Sequence, residues 1–338
     1  MRSGRIKLGL TFLAGCVTGA ATCLLVAKRP PRPKPASSFG IRAVELLLRL
    51  RGKRAFRSAE LFRQRVQGRV YPIPAPIPSA LRARCKIREA LVQGQRVFNL
   101  TPHTSRSSAH ILYTHGGAYV NPLVSAHWRI IRQLIEKTGA AVTVPVYPLA
   151  PEHNYRATYS LLEQVYREVL ASTPAAQVVF CGDSAGGGLA LGQALYYRDI
   201  GLPLPGRVVL FSPWLDITMC NPGAASGEKD DVMLALPGLI EAGQWWADGD
   251  DRRLPVLSPL FGDLSGLPPI DVFQGTHDLF IADSRLLAEK VGAAGGEIHL
   301  HEYEGAFHVF VRATFTPEAR DAFEKVADAV RDGLTIVV

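Results

Sequence analysis

The chain lacks the spacing motifs of metal and nucleotide sites. Its 338 residues include five cysteines with no Cys-x-x-Cys pair, so neither a zinc site nor a disulfide framework is predicted. No glycine-rich loop ends in Gly-Lys-Ser or Gly-Lys-Thr, which excludes a P-loop, and no acidic ribose partner completes a dinucleotide motif. No internal repeat is visible. A hydrophobic content of 47% supports a large core, and no metal or cofactor is predicted.

Acidic residues are absent from the first 44 positions. Residues 1–88 hold 20 Lys and Arg against 2 Asp and Glu, whereas the remaining 250 residues hold 18 against 28. Residues 8–27 are mostly apolar and lie between basic flanks, and twenty helical residues can cross a hydrocarbon core of ~30 Å. We predict that residues 1–36 form a membrane anchor with a basic, proline-rich linker. Export after signal-peptide cleavage is the alternative.

Residues 182–188 have the sequence Gly-Asp-Ser-Ala-Gly-Gly-Gly, which places Ser184 inside a Gly-x-Ser-x-Gly motif. An apolar run at 177–181 precedes it and a segment of helical period at 189–197 follows. A strand, a tight turn and a helix with serine at the turn are typical of a nucleophile elbow. The pattern alone leaves open a plain glycine-rich turn or a phosphate cradle.

A second glycine motif follows a predicted buried strand at 111–114. Residues 115–119 are His-Gly-Gly-Ala-Tyr. Acyl transfer to a serine needs backbone N–H donors aimed at the developing oxyanion, and glycines leave such a backbone uncovered. The N–H of Ala185, directly after the serine, would add a donor from the helix end. An ordinary strand-to-loop exit is the alternative.

Spacing selects the other two members of a Ser-Asp-His triad. A predicted strand at 269–275 is followed by Asp278, a helical segment at 279–293, a strand at 297–303, and a loop at 304–308 that ends in His308. In a parallel sheet, one helix and one strand bring the chain back to the same edge. The side chains of Ser184, Asp278 and His308 can therefore converge. Ser184 would attack, His308 would move the proton, and Asp278 would hold the imidazole tautomer.

Five other residues compete for these roles. Asp283 is predicted in the first turn of a helix, where a carboxylate suits the dipole, and is interpreted as structural. Asp216 lies too far from His308 in sequence and is assigned a supporting position, while His277 precedes the required helix and strand. His299 and His301 share one strand face, but no third ligand is near, so an exposed face is favoured over a metal site.

Four stretches together resemble the hormone-sensitive-lipase-like family of α/β-hydrolases, a group of carboxylesterases. They are His-Gly-Gly at 115–117, Tyr-Pro-Leu-Ala-Pro-Glu-His at 147–153, the elbow at 182–187, and Asp278 with Tyr-Glu-Gly-Ala-Phe-His at 303–308. The resemblance covers about residue 85 to the C-terminus. It implies a triad of the following residues: Ser184, Asp278 and His308.

The same resemblance implies the oxyanion donors and one bracing residue. The donors would be the amides of Gly116, Gly117 and Ala185. The family usually has a third glycine where Ala118 stands, so this residue must adopt the backbone angles that glycine allows. Glu152 matches a family position that braces the oxyanion loop.

Strands alternate with helices from residue 111 onward, which predicts one α/β-hydrolase fold with a mostly parallel, doubly wound sheet. Residues 37–84 and about 220–257 break the alternation and resemble the family's helical cap, which leaves 85–338 as the catalytic domain. Trp245 and Trp246 are expected to pack within the cap. Basic residues interleaved with Leu48, Leu50 and Leu61 indicate an amphipathic cap helix near a membrane rather than a nucleic-acid surface.

These features predict a serine carboxylic-ester hydrolase that acts on short- to medium-chain acyl esters through an acyl-enzyme. Deacetylation or lactone opening would use the same triad. A non-catalytic ligand receptor is the remaining alternative, since a plant hormone receptor resembles this family but has lost the triad histidine, which is present here as His308. The expected partners are a small-molecule ester and a membrane, with no nucleic acid, and a homodimer is one assembly to consider.

Overall fold

Eight strands form one sheet among the described residues, and from residue 110 onward helices alternate with these strands along the chain. The computed structural model describes residues 37–69 and 73–333. The predicted anchor at 1–36 therefore lies outside the described residues. The strands are β1 (Cys85–Val92), β2 (Gln95–Pro102), β3 (His110–Thr114), β4 (Ala141–Pro145), β5 (Val178–Asp183), β6 (Arg207–Phe211), β7 (Ile270–His277) and β8 (Ile298–Phe307).

Ten α-helices occur within the described ranges, and none of them is both long and apolar enough to span a bilayer. They are α1 (Phe39–Arg51), α2 (Ala59–Gln67), α3 (Ser79–Arg82), α4 (Ser125–Thr138), α5 (Tyr155–Leu170), α6 (Ala185–Asp199), α7 (Pro222–Gly227), α8 (Leu236–Ala247), α9 (Ile281–Ala293) and α10 (Pro317–Gly333).

The strand order is β1-β2-β4-β3-β5-β6-β7-β8. The β1–β2 and β2–β4 pairs are antiparallel, and every pair from β4 to β8 is parallel. Alternate residues of β5 enter two separate cores: Val178 and Phe180 on one face, Val179 and Cys181 on the other. A strand covered on both faces is apolar along its length, as β5 is up to its last residue, Asp183. The predicted mostly parallel, doubly wound sheet is confirmed.

Helices α1 and α2 precede the sheet, and α7 and α8 lie between β6 and β7. The two segments pack on each other. The ring of Phe62 lies 5.6 Å from that of Trp245. Arg63 donates two hydrogen bonds to the largely buried Glu241, at 2.7 and 2.8 Å. Residues far apart in sequence thus pack together in one helical layer.

The end of β8 differs from the sequence-based prediction. A loop was expected at 304–308, but β8 continues to Phe307. Its pairing with β7 shifts register between Gly275 and His277, and the extra residues include Gly305, whose φ is +65°. The Gly305 amide donates to Thr276 Oγ1 at 2.8 Å. An irregular but paired strand therefore extends to the residue before His308.

The two histidines of β8 face a buried ion pair. His299 Nδ1 and His301 Nε2 each lie 3.4 Å from Asp271 Oδ1. The other Asp271 oxygen pairs with Arg207 at 2.5 Å. The His299 side chain is 52% exposed, as expected for a strand face. Residues 37–69 and 73–333 contain no cluster of three or more metal-ligating side chains.

Candidate active site

Ser184 occupies a strained turn between β5 and α6. Its φ of 54° and ψ of −123° are unusual for a residue with a side chain. Such strain costs on the order of 1–3 kcal/mol and persists only where neighbouring structure enforces it. Here the Ser184 amide donates to the Phe211 carbonyl, and the Trp214 amide donates to the Ser184 carbonyl, both at 2.9 Å. The adjacent strand β6 and the residues after it thus hold the turn from both sides.

The glycines of the motif are required by close backbone approach. A Cβ atom on Gly182 would lie 2.2 Å from the Gly186 carbonyl oxygen. One on Gly186 would lie 2.1 Å from the Thr114 carbonyl oxygen at the end of β3. No flexible side chain is involved in either contact, so neither clash can be relieved cheaply. The small residues let α6 start directly against the sheet.

The three residues predicted as a triad meet in one hydrogen-bonded chain. Ser184 Oγ lies 2.9 Å from His308 Nε2, and His308 Nδ1 lies 2.8 Å from Asp278 Oδ2. Asp278 is fully buried, and its other oxygen accepts from the Phe280 amide at 3.0 Å. His308 is 3% and Ser184 6% exposed. The carboxylate fixes one ring nitrogen, which leaves the other to exchange a proton with the serine.

The loop after β3 corrects one predicted oxyanion donor. The Gly116 amide donates to Asp183 Oδ1 at 2.9 Å, so its N–H is not available to a substrate. The amides of Gly117, Ala118 and Ala185 have no acceptor among the described residues. Ala118 adopts a φ of 54°, the left-handed conformation that its position demanded. An alanine pays about 1–2 kcal/mol for this conformation.

Asp183, which sequence reasoning did not single out, organises this loop. Its fully buried carboxylate accepts from Tyr113 Oη at 2.5 Å and from Arg312 Nη2 at 2.8 Å, in addition to the Gly116 amide. Burial opposes ionisation, but His127, Arg312 and the tyrosine hydrogen bond together hold the pKa of Asp183 well below its usual range. The signal available in the sequence is an acidic residue that ends an otherwise apolar strand.

Residues 147–153 brace the loop from the opposite side. Tyr147 donates its hydroxyl to the His115 carbonyl at 2.6 Å, and the two rings stack at 4.3 Å. Burial lowers the pKa of His115 to about 3, so this imidazole is neutral at pH 7. Glu152 lies 3.3 Å from Arg69, which donates to the carbonyl of Val120 in the loop. Glu152 therefore contacts the loop through Arg69.

Trp246, the second tryptophan of the pair in α8, contacts the same loop. The ring of Trp246 stacks on that of Tyr119 with centroids 4.3 Å apart and planes 3° apart. Trp214, after β6, stacks on the Tyr119 ring at 5.3 Å. Tyr119 itself has a φ of +61°. Two tryptophan rings therefore hold the buried side chain of Tyr119, the residue that follows Ala118. These contacts join segments that are distant in sequence, so no local sequence pattern predicts them.

The competing residues lie elsewhere. Asp283 is in the first turn of α9, where Asn221 donates to it at 2.7 Å, and burial raises its pKa to about 7. Asp216 accepts from backbone amides of its own loop, including that of Thr218 at 2.7 Å. His277 lies 3.1 Å from Glu45 of α1. None of these three residues (Asp283, Asp216 and His277) contacts His308.

Asp231 is a further buried acid near Asp278 and His308. Asp231 accepts from the amides of Met233 and Leu234 at 2.7 and 2.8 Å, and from that of Leu279 at 3.1 Å. Burial and the adjacent Asp278 charge raise its pKa to about 6, although His308 acts in the opposite direction. It ties the segment before α8 to the residue after Asp278. The sequence offered no signal for it, since it follows another aspartate in a loop.

Known proteins share both the sequence pattern and the geometry. The profile of the α/β-hydrolase fold matches residues 111–312. An esterase of Acinetobacter venetianus is 30% identical over 72% of this chain and 80% of its own length. The chain belongs to the α/β-hydrolase family. An acetyl-hydrolase of Streptomyces hygroscopicus is 32% identical to this hydrolase, over 63% of this chain and 72% of the relative.

Solved structures agree with this placement. An esterase/lipase from an uncultured bacterium superposes with a TM-score of 0.77 at 26% identity, covering 89% of this hydrolase and 100% of that chain. An esterase of the bacterial hormone-sensitive lipase family gives 0.75 at 25% identity, with the same coverage. The predicted α/β-hydrolase fold and the resemblance to hormone-sensitive lipases are confirmed. The hydrolase is of the carboxylesterase type.

The network around Asp183 generates a prediction. Asp183→Asn should lower kcat/KM by about 10- to 100-fold, because it loosens the Gly116 amide and leaves Arg312 without its buried counter-charge. The same substitution should lower the free energy of unfolding by about 3 kcal/mol. Ester hydrolysis and urea unfolding measure the two effects. Arg88→Gln, at an exposed position on β1, is the control, and unchanged activity in Asp183→Asn would contradict a role in shaping the loop.

Proposed function

We propose that this hydrolase cleaves carboxylic esters of short- to medium-chain acids through a covalent acyl-enzyme on Ser184. In the proposed mechanism, His308 Nε2 takes the serine proton as Oγ attacks the carbonyl, and returns it to the leaving alcohol. Asp278 holds the Nδ1–H tautomer and stabilises the imidazolium. Water then repeats the sequence, with His308 as base, to release the acid. No step requires a metal or cofactor.

One observation carries this proposal: Ser184 Oγ, His308 and Asp278 form an unbroken chain with contacts of 2.9 and 2.8 Å at a strained turn. A packing serine would not need a conformation that costs on the order of 1–3 kcal/mol. The presence of the histidine argues against the receptor alternative. A receptor would also have no use for the amides beside the serine that lack an acceptor among the described residues.

We assign the oxyanion hole to the amides of Gly117, Ala118 and Ala185. These three lie on the two segments that meet at Ser184, and none has an acceptor in the described part of the chain. The left-handed φ of Ala118 supports the assignment, because this conformation turns the peptide where the family has glycine. Preorganised donors of this kind typically contribute about 3–4 kcal/mol each to transition-state stabilisation.

We propose that residues 37–84 and 220–257 form the cap over this site, with residues 85–338 otherwise supplying the catalytic domain. The contacts of α2 with α8 support a joint role, as does the stacking of Trp246 on Tyr119 beside the proposed oxyanion hole. The acyl preference is proposed from the relatives, one of which is named an acetyl-hydrolase. Rates on p-nitrophenyl esters from C2 to C12 would test it.

We further propose membrane association through the N-terminal segment. The apolar run at 8–27 and the basic linker after it support this proposal. The outer face of α1 also carries four exposed apolar side chains, which are those of Phe39, Leu46, Leu47 and Leu50. An apolar stripe flanked by arginines suits the surface of an anionic bilayer. A homodimer formed through this face is the alternative, which sedimentation in detergent would reveal.

The nucleophile assignment is tested by Ser184→Ala. We expect kcat to fall by about 10⁴-fold or more with Tm close to wild type, because the hydroxyl contributes chemistry rather than packing. A fluorophosphonate probe should label the wild type and spare the variant. Retention of a tenth of the wild-type turnover would rule out Ser184 as the nucleophile.

The acid assignment is tested by a matched pair of substitutions. Asp278→Asn should reduce kcat by about 10⁴-fold, because the amide stabilises the wrong histidine tautomer. Asp283→Asn removes an equally buried carboxylate in the first turn of α9 and should cost less than about tenfold, since it does not contact His308. Initial rates on one ester suffice. Equal losses, or the reverse order, would mean that the wrong carboxylate was chosen.

The N-terminal proposal is tested by deleting residues 1–36. The truncated hydrolase should leave the membrane fraction while its kcat/KM on soluble acetate esters stays within about twofold, because every proposed catalytic group lies after residue 115. Fractionation and ester assays of both forms measure this. Full-length protein found wholly soluble, with its N-terminus intact, would refute the anchor.

A further inference from the structure

A cleft of about 540 Å³ lies beside the triad histidine and is separate from the proposed oxyanion hole. Helix α1 forms one wall through Val44 and Leu48, and Phe315 forms part of the opposite wall. His308 lies on its lining. The volume falls in the range of small-molecule sites, and apolar walls beside a reactive group are typical of substrate pockets.

The residues that line this cleft carry positive charges and no negative ones. Arg51, Arg129 and Arg312 line it, and no Asp or Glu does. Arg312 is paired with Asp183, but neither Arg51 nor Arg129 has a carboxylate partner among the described residues. Lining residue Ala126 also belongs to the first turn of α4, whose amides form the positive end of the helix.

The proposed chemistry dictates which part of an ester would lie here. His308 must hand a proton to the leaving oxygen, so the alcohol part of the substrate lies within reach of its Nε2. The carbonyl oxygen, by contrast, points to the amides of Gly117 and Ala118. A cleft that includes His308 and excludes those amides is therefore placed to receive the alcohol part.

We propose that this cleft selects esters whose alcohol part carries an anionic group, a carboxylate or a phosphate, on a small apolar or aromatic unit. The inference rests on the proposed function of Ser184 and His308 and adds a substrate class to it. The apolar walls take the ring or chain that bears the ester oxygen. Arg51 and Arg129, the two exposed arginines of the lining, pair with the anion, as guanidinium groups do with carboxylates and phosphates.

The test uses substrates that differ only in charge. The acetate ester of 4-hydroxybenzoate is anionic, that of 4-hydroxybenzamide is neutral and similar in shape, and 4-acetoxyphenyl phosphate carries a phosphate. The ratio of kcat/KM for each anionic ester to that for the amide cancels effects on the acetyl-enzyme. In Arg51→Gln/Arg129→Gln this ratio should fall about tenfold, as two partly exposed ion pairs would allow.

The control variant is Lys86→Gln/Arg88→Gln, which removes the same charge from exposed positions on β1. It should leave both ratios unchanged. Added salt should lower the ratios in the wild type and have little effect on the arginine variant. A fall for both anions, or for the phosphate or the carboxylate alone, supports the site and identifies the preferred anion.

Failure of this inference is distinguishable from failure of the proposed function. Equal ratios in the wild type and the arginine variant, with hydrolysis of the amide ester lost in Ser184→Ala, would overturn the cleft assignment and leave the esterase intact. If Ser184→Ala hydrolyses all three esters as fast as the wild type, both proposals fall. Inhibition by the product 4-hydroxybenzoate gives a second readout, since it should weaken in Arg51→Gln/Arg129→Gln.

Discussion

The buried carboxylate of Asp183 is the contact on which the rest of the site depends. It ends β5, directly before the serine, and binds the Tyr113 hydroxyl of β3, the Gly116 amide and the Arg312 guanidinium. Three segments that are remote in sequence thus contact one fully buried charge. Because an unpaired group here would cost several kcal/mol, each partner constrains the others. The elbow and the loop beside it are consequently one unit.

The helices outside the alternating α/β pattern reach this unit by packing rather than by charge. Trp246 of α8 stacks on Tyr119, and α2 contacts α8 through Phe62 and Trp245. The helices that we propose as the cap therefore contact the residue directly after Ala118. Because a left-handed alanine persists only where its neighbours enforce it, this packing would also support the backbone conformation at Ala118.

The arginines of the cleft would, in our proposal, add selection for the charge of the substrate. The proposed triad and amides would contact only the ester group, which is common to every substrate of the class. Selection among esters would then depend on the surroundings of the acyl chain and of the leaving group, and the cleft beside His308 is lined by apolar side chains and three arginines. Arg312 connects this cleft with the network around Asp183, because it both contacts Asp183 and lines the cleft beside His308.

The sequence alone predicted the sheet and the elbow, and it selected the three residues that the structure joins by hydrogen bonds, Ser184, Asp278 and His308. Strand and helix periodicity, together with chain order, is sufficient for these, because parallel topology brings every strand end to one edge. The need for glycine at positions 182 and 186 can likewise be predicted from the motif, since only glycine allows the backbone contacts of the elbow. The tertiary structure decided which amides lack an acceptor among the described residues: the Gly116 amide donates to Asp183, whereas the Ala118 amide has no acceptor there. It also decided the strand pairing up to Phe307, the position of Asp231 and the arginine-lined cleft. All of these depend on contacts between segments distant in sequence, which local patterns do not encode.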